Sequence, residues 1–346
     1  MRPTSRRAFL ATLASGGLGA MAALGAVAGG FGLSGCGTQA AAEANSLKTV
    51  RIGYSGDAGT VKLSYTPAIA YARGILEKNL ASAGYKPEFL SFTQAGPALN
   101  EALASSSIDV AQYADFAALS ARSKGVRLKA FAVADTSTAY AILASDASGI
   151  QSVADLRGKT VAVGLGTIPY RYLLLALQKS GIPVDEVNVV NAPGNDAPAM
   201  VASGAVDASV GMFALIYQHQ QKAGRIIATS LDDPSLSATG DFFAREDFIA
   251  SDRQAVVAIT RSLKEAWQYA QGNPDEARQL LTSSGTPIDA VRAEFPDDAF
   301  PQFNPEITDE IVDKIQGVEQ FMEQNALIKS HVDAHDFVDT TIYQEV

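Results

Sequence analysis

Four dipeptides in this chain place proline at the start of a helical pattern just after a β-rich run: Thr66-Pro67, Gly96-Pro97, Ile168-Pro169 and Ala197-Pro198. A helix start carries free backbone N–H groups and a partial positive charge, and proline fits there because its missing N–H would have no intrahelical partner. Such termini hold an anion without a basic side chain. Polar and aromatic residues gather at the same strand ends. Tyr54 and Ser55 follow the first run, Gln94 and Gly96 the second, and Tyr113 and Asp115 the third. Further along, Gly166, Thr167 and Tyr170, then Asn195 and Asp196, then Met212 and Phe213 take the corresponding places. Amide, hydroxyl and aromatic groups of this kind orient a small solute in a mostly apolar pocket. The chemistry expected is recognition of a small anion, with these residues as candidate contacts, although each alone also suits a turn or cap. Asp115 and Asp196 have the wrong sign for an anion, so each is expected to cap a helix or hold a cationic group.

Catalytic arrangements are lacking in the sequence. There is no Gly-x-Ser-x-Gly elbow and no Gly-x-x-x-x-Gly-Lys-Ser/Thr phosphate loop. His331 and His335, with Asp333 and Asp336 nearby, have a spacing that would put two metal ligands on one helix face. A solvated C-terminal segment is the plainer reading, and neither a metal nor a cofactor is expected. His219 reads as a surface residue, and Trp267, at helical spacing with Leu263 and Ala270, reads as core. The single cysteine excludes both an intramolecular disulfide framework and a Cys-based zinc site.

That cysteine, Cys36, closes an N-terminal segment that is not part of the fold. Arg6 and Arg7 precede a Gly- and Ala-rich apolar run, and no charge then occurs until Glu43. This is the n-region and h-region pattern of an export signal. Six glycines between Gly16 and Gly30 make it a weak helix, which argues against a retained anchor. Ser5-Arg6-Arg7-Ala8-Phe9-Leu10 resembles the twin-arginine motif, and Leu33-Ser34-Gly35-Cys36 resembles a lipobox. A signal over 1–35, lipidation of Cys36 and a flexible tether over 36–47 are expected. The whole chain of 346 residues has a formal charge of −10, and loss of Arg2, Arg6 and Arg7 leaves 24 basic against 37 acidic side chains, or −13. An acidic chain without a basic run is not a nucleic-acid binder.

The elements that position the candidate residues occur twice. Thr49–Tyr54, Pro87–Phe92 and Ile108–Ala111 read as strands, each followed by an apolar-periodic helix, from Ala68 to Leu80, from Pro97 to Leu103 and from Phe116 to Lys124. Lys159–Val163, Val187–Val190 and Val206–Val210 repeat the order, with helices from Ile168 to Gly181, from Pro198 to Ser203 and up to Gly224. The copies align at residue level: Leu103 to Asp109 matches Val201 to Asp207 at a constant offset of 98. Alternating strands and helices predict a parallel sheet covered on both faces, and two copies predict two lobes. Phe242-Phe243 is expected to return as a strand to the first lobe, and the capped helices beyond it to pack there.

Phe92-Thr93-Gln94-Ala95-Gly96-Pro97-Ala98-Leu99-Asn100-Glu101-Ala102-Leu103 followed by Ile108-Asp109 resembles a signature of the aliphatic sulfonate-binding proteins, relatives of the taurine- and nitrate-binding receptors of ABC importers. Ser152 to Lys159 and Gly166-Thr167 resemble the same family's passage into its second lobe. The resemblance implies an α/β fold of the two-lobed, type II periplasmic-binding-protein kind. Each lobe is a mostly parallel sheet flanked by helices, lobe 1 taking 48–140 and 242–346 and lobe 2 taking 141–241. It implies a monomeric, membrane-tethered receptor that is not an enzyme, closes on an aliphatic sulfonate, taurine or similar anion, and docks on a permease with a cytoplasmic ATPase. Nitrate or bicarbonate, an aromatic acid and a thiamin pyrimidine precursor are alternative ligands, and an exported enzyme or sensor lipoprotein is an alternative role. The chain departs from the family at Tyr113-Ala114-Asp115-Phe116, where the family's prolines are missing, and at Tyr170, where a histidine is common.

Overall fold

A computed structural model describes residues 47–346 except 57–58, 193, 297–299 and 301–302. The expected signal, Cys36 and the tether up to residue 46 lie outside the described residues.

Lobe 1 grows from β1 (Lys48–Ser55), β2 (Tyr85–Phe92) and β3 (Val110–Ala114), which pair in parallel in the order β2-β1-β3. Lobe 2 repeats this with β6 (Thr160–Val163), β7 (Asn188–Asn191) and β8 (Ala208–Met212), ordered β7-β6-β8. Each parallel set is completed by two antiparallel strands. In lobe 1 these are β10 (Ala238–Arg245) and β4 (Leu128–Thr138), and in lobe 2 β5 (Tyr140–Ala144) and β9 (Arg225–Thr229). The full orders, β2-β1-β3-β10-β4 and β7-β6-β8-β5-β9, therefore match strand for strand. The chain passes between the sheets at Ala139 and returns between Thr229 and Ala238.

The internal repeat has a physical basis at its two acids. Asp109 Oδ2 accepts from the backbone N–H of Arg51 at 3.0 Å, and Asp207 Oδ2 accepts from that of Thr160 at 2.8 Å. Each carboxylate thus ties the third parallel strand to the start of the first. Three residues before each acid, Ser106 and Gly204 hold left-handed backbone, with φ of +58° and +73°. Glycine adopts that conformation freely, whereas serine is strained in it.

Helices α1 (Tyr65–Ala72), α2 (Ile75–Ser82), α3 (Ala95–Ala104) and α4 (Asp115–Ser123) cover lobe 1, and α5 (Ile168–Lys179), α6 (Asp196–Ala202) and α7 (Phe213–Ala223) cover lobe 2. The single helix expected from Ala68 to Leu80 is two, broken at Gly74, whose φ of +66° ends one helix and lets the next begin. After β10 come α8 (Glu246–Ser251), α9 (Arg253–Gly272), α10 (Pro274–Leu281), α11 (Ile288–Glu294), α12 (Asp309–Gln324) and α13 (Ala334–Phe337). Helix α9 packs on α1 and α2, and α12 packs on α4, so most of this tail rests on lobe 1. Helix α11 extends further and also packs against α7 of lobe 2. Ser251 does not cap α9, which starts after Asp252, and the Asp252 carboxylate is engaged by Lys48, Tyr85 and Ser251.

One apolar cluster fills the face of lobe 1 under α3, α4 and α12 and continues into the α5 face of lobe 2. Phe131, Phe242 and the α1, α2 and α9 contacts fill the opposite face of lobe 1, and α6 and α7 close lobe 2 from its other side. Among the described residues no helix is long and apolar enough to cross a membrane.

Candidate functional site

The ends of the parallel strands carry the helix starts foreseen from the prolines. Pro67, Pro97, Pro169 and Pro198 all lie in the first turn of their helices, where a missing N–H breaks no hydrogen bond. Each start is approached through a left-handed residue: Tyr65 (φ +58°), Ala95 (+50°), Gly166 (+71°) and Gly194 (+54°). Lobe 2 uses glycine for this turn, while lobe 1 forces side-chain-bearing residues into it, at roughly 1–2 kcal/mol each. Thr66 precedes the proline, but the cap position of α1 is Ser64 and not Thr66. Thr66 lies inside α1, and its buried hydroxyl donates to the Ala134 carbonyl at 2.7 Å.

The candidate residues divide by environment. Ser55, Gln94, Gly166, Asn195, Asp196 and Met212 are exposed at these strand ends, and Thr167 and Tyr170 are half-buried. The Thr167 hydroxyl donates back to the Gly164 carbonyl at 2.5 Å, so it holds the turn that begins α5. Tyr54, Gly96, Tyr113, Asp115 and Phe213 are buried. Gly96 has a packing reason: a Cβ there would stand 2.4 Å from the Ala117 Cβ, so only glycine lets α3 approach α4 this closely. Tyr113 donates to Asn100 Oδ1 at 2.8 Å and lies edge-on to Phe243, while Phe213 packs beside Tyr217.

Asp115 opens onto a group of charges that sequence reasoning did not single out. It occupies the first turn of α4, where its Oδ1 accepts from the Phe116 N–H at 2.6 Å and its Oδ2 accepts from the Thr239 hydroxyl at 3.0 Å. That helix start is therefore already satisfied by a carboxylate of the chain itself. The Thr239 hydroxyl also lies 2.8 Å from Asp241 Oδ2, and the Thr138 hydroxyl donates to Asp135 Oδ2 at 2.8 Å. Asp115, Asp135 and Asp241 are at most 1% exposed. Two cations meet them. Arg171, on α5 of lobe 2, faces Asp115 and donates to the Ser237 carbonyl at 3.0 Å. Lys314, on α12, donates to the Thr136 carbonyl at 2.6 Å and to Ser237 Oγ, and its ammonium feels all three carboxylates. The group brackets both chain crossings, Thr138–Tyr140 and Ser237–Thr239. Both crossings lie at the carboxyl ends of the parallel strands, where Gly240 pairs with Ala114 and Tyr140 with Met212, so the strand ends of the two lobes meet there.

Burial dominates the ionisation of this group. It pushes Asp135 up to about 7, with the Thr138 hydroxyl and Lys314 opposing. It raises Asp115 against the pull of Arg171, and raises Asp241 strongly with help from the Asp115 charge. Glu294, on α11 beside Tyr65, is pushed up to about 8 by burial and by Asp135. Arg171 and Lys314 are both lowered by burial. A signal for these residues was present. Arg171 lies three residues from both Ile168 and Leu174 on a buried helix face, and Asp241 directly precedes Phe242-Phe243 in a strand buried from Ala238 to Ala244.

Elsewhere, the structure groups His331 with Glu319 and Glu323 rather than with His335. Glu319 is committed to local structure, accepting from the Val332 N–H and Gln316 and lying 3.0 Å from His331 Nδ1. A surface hollow lined by Lys124, Arg127 and Arg245 lies at the opposite end of the lobe 1 sheet. There Arg122 and Arg127 both pair with Glu246, and Arg245 pairs with Asp109 and Asp247.

Two sheets of matching order, joined by two crossings and facing through their strand ends, are the arrangement against which known proteins can be compared. Residues 92–277, more than half of the chain, match the family described as NMT1/THI5 like. The chain belongs to the NMT1/THI5-like family. An aliphatic sulfonates-binding protein of Bacillus subtilis (strain 168) is 27% identical over 318 residues, which is 91% of this chain and 93% of that protein. A similarly named protein of Escherichia coli (strain K12) is 26% identical, covering 87% of this chain and 92% of its own length. The crystal structure of a periplasmic sulfonate-binding protein from Methylobacillus flagellatus KT superposes with a TM-score of 0.73 at 20% identity, over 86% of this chain and 93% of that one. This NMT1/THI5-like chain thus has the two-lobed fold of the type II periplasmic solute-binding proteins and is related to the sulfonate-binding receptors among them.

Proposed function

We propose that the protein is the extracytoplasmic, lipid-anchored solute receptor of an ABC importer. It captures a small organic anion, an aliphatic sulfonate, taurine or a similar solute, between its lobes and delivers it to a membrane permease served by a cytoplasmic ATPase. The observation that carries this reading is the placing of both chain crossings at the carboxyl ends of the parallel strands, Gly240 pairing with Ala114 and Tyr140 with Met212, with Pro-bearing helix first turns on both sides. Helix N-termini and the hydroxyl and amide groups of Ser55, Gln94, Tyr170 and Asn195 supply donors to an anion there. With a formal charge of −13 on the mature chain, capture rests on these local donors and not on long-range attraction. The names of the relatives support a sulfonate as the first ligand to test.

The test is a thermal-shift and calorimetric panel of alkanesulfonates, taurine, nitrate, bicarbonate, aromatic carboxylates and thiamin pyrimidine precursors. At least one anion should raise the melting temperature and bind at a single site, and a panel without any anion hit refutes the reading. The anchor is tested separately: Cys36→Ala should release the exported protein from the membrane, and unchanged retention and mass would show that Cys36 is not lipidated.

A further inference from the structure

Two helices of the C-terminal tail that rest on lobe 1 also hold lobe 2, one on each face of the molecule. Helix α11 does so through its opposite sides. Val291 and Phe295, four residues apart and therefore on one side of the helix, belong to the lobe 1 core. Ala293, turned by about 200° from Val291, packs against the lobe 2 cluster that contains Phe213 and Ile216 of α7. The attachment to lobe 1 is firm. Arg278 Nε, on α10, donates to the Phe295 carbonyl at 2.8 Å, and the Phe295 ring centroid lies 6.1 Å from that of Tyr65 and 5.4 Å from that of Phe303. The Glu294 carboxyl meets the Ala139 backbone at the first crossing. Helix α12 works on the other face. Lys314 donates to the Thr136 carbonyl beside the first crossing at 2.6 Å and to Ser237 Oγ on the second at 3.1 Å, so one side chain ties both. Phe321, two turns further along the same side of α12, sets its ring centroid 5.9 Å from the guanidinium carbon of Arg171, a residue of lobe 2. Arg171 in turn donates to the Ser237 carbonyl at 3.0 Å.

Two chain crossings by themselves allow one lobe to rotate against the other. Each further contact between the lobes lowers the free energy of the one arrangement that makes it. We propose that α11 and α12 form a brace that holds the lobes together in the absence of solute, so that the C-terminal tail sets the balance between open and closed receptor. Ala293 and Phe321 are the points at which the brace grips lobe 2, and neither is among the candidate ligand contacts. The brace therefore changes how much closed protein a solute finds without touching the solute. It follows from the two-lobed fold and holds whichever solute the protein takes.

Spin-label distances measured by electron double resonance on the ligand-free protein test this. The labels go on Glu88→Cys and Asp185→Cys, exposed positions on β2 and just before β7, the sheet edges away from the crossing strands. A Cys36→Ala background removes the one native thiol. With the tail intact, the distribution should be dominated by a short interlobe distance. Phe321→Leu keeps an apolar side chain but removes the ring, and Ala293→Asp sets a charge against the lobe 2 cluster. Each should raise the ratio of long-distance to short-distance population roughly threefold to tenfold, and the two together should raise it further. A label pair within lobe 1, Glu88→Cys with Ser105→Cys, should keep its distance in every variant, which shows that the lobe itself is intact. Either substitution suffices for the test if the other disturbs that pair. An interlobe distribution unchanged by both substitutions, or one already as broad with the intact tail as in the double variant, overturns the inference.

Discussion

Asp135→Asn should change stability in a way that depends on pH, and the size of the change follows from the surroundings of Asp135. Its carboxyl is fully buried and ionises at about 7 in the folded protein, against an ordinary value of 3.8. The folded state therefore holds the proton more tightly than the unfolded chain does. Below the ordinary value both states are protonated and the site costs nothing. As pH rises the unfolded chain ionises first, so stability falls through the window from about 4 to about 7 and levels off above it. At ~1.4 kcal/mol per pH unit, the penalty is about 1 kcal/mol near pH 4.5 and about 4 kcal/mol near pH 8. Asparagine never ionises, and its carbonyl can still accept the Thr138 hydroxyl that now bonds Asp135 Oδ2. The variant should gain about 3 kcal/mol more at the higher pH than at the lower one. Urea unfolding of both proteins at the two pH values, without ligand, measures this directly, with equal m-values required so that only stability is compared. Asp115, Asp241 and Glu294 titrate in the same direction, and their shared contribution cancels to first order in the difference between variant and wild type. An Asp135→Asn effect of equal size at both pH values would show that this carboxyl is not penalised by burial.

Two further outcomes test local geometry. Ser106→Gly, at an exposed left-handed position where the second copy already has Gly204, should raise stability by about 1 kcal/mol with no change in ligand binding, read from the denaturation midpoint. Gly96→Ala should lower stability by roughly 1–3 kcal/mol, because the new Cβ meets the Ala117 Cβ at 2.4 Å and α3 must move away from α4. A neutral Gly96→Ala would return Gly96 to the list of positions kept for ligand access.

Much of the fold was legible because its signals are local. The parallel strands β1, β2, β6 and β7 lie where the apolar runs place them, with ends within about two residues of expectation. The first turns are marked by proline, and the repeat by Ile108-Asp109 and Val206-Asp207. The antiparallel strands were less legible. β4 is an Ala-rich segment ending in Asp-Thr-Ser-Thr, a weak strand former that is held extended by β10, more than a hundred residues away. β5 and β9 pair across lobe 2 in the same way.

For function, the sequence alone showed an acidic, duplicated α/β chain with the N-terminal pattern expected of an export signal. It also placed helix starts and polar groups at the strand ends, since each of those features depends on residues close together in the chain. Only the tertiary structure decided which charges meet. Asp115, Asp135, Arg171, Asp241 and Lys314 come from five elements spread over about two hundred residues, and each was legible at most as a charge on an apolar face. Their joint burial arises only when these elements pack together and exclude water, which raises the cost of every unpaired charge among them.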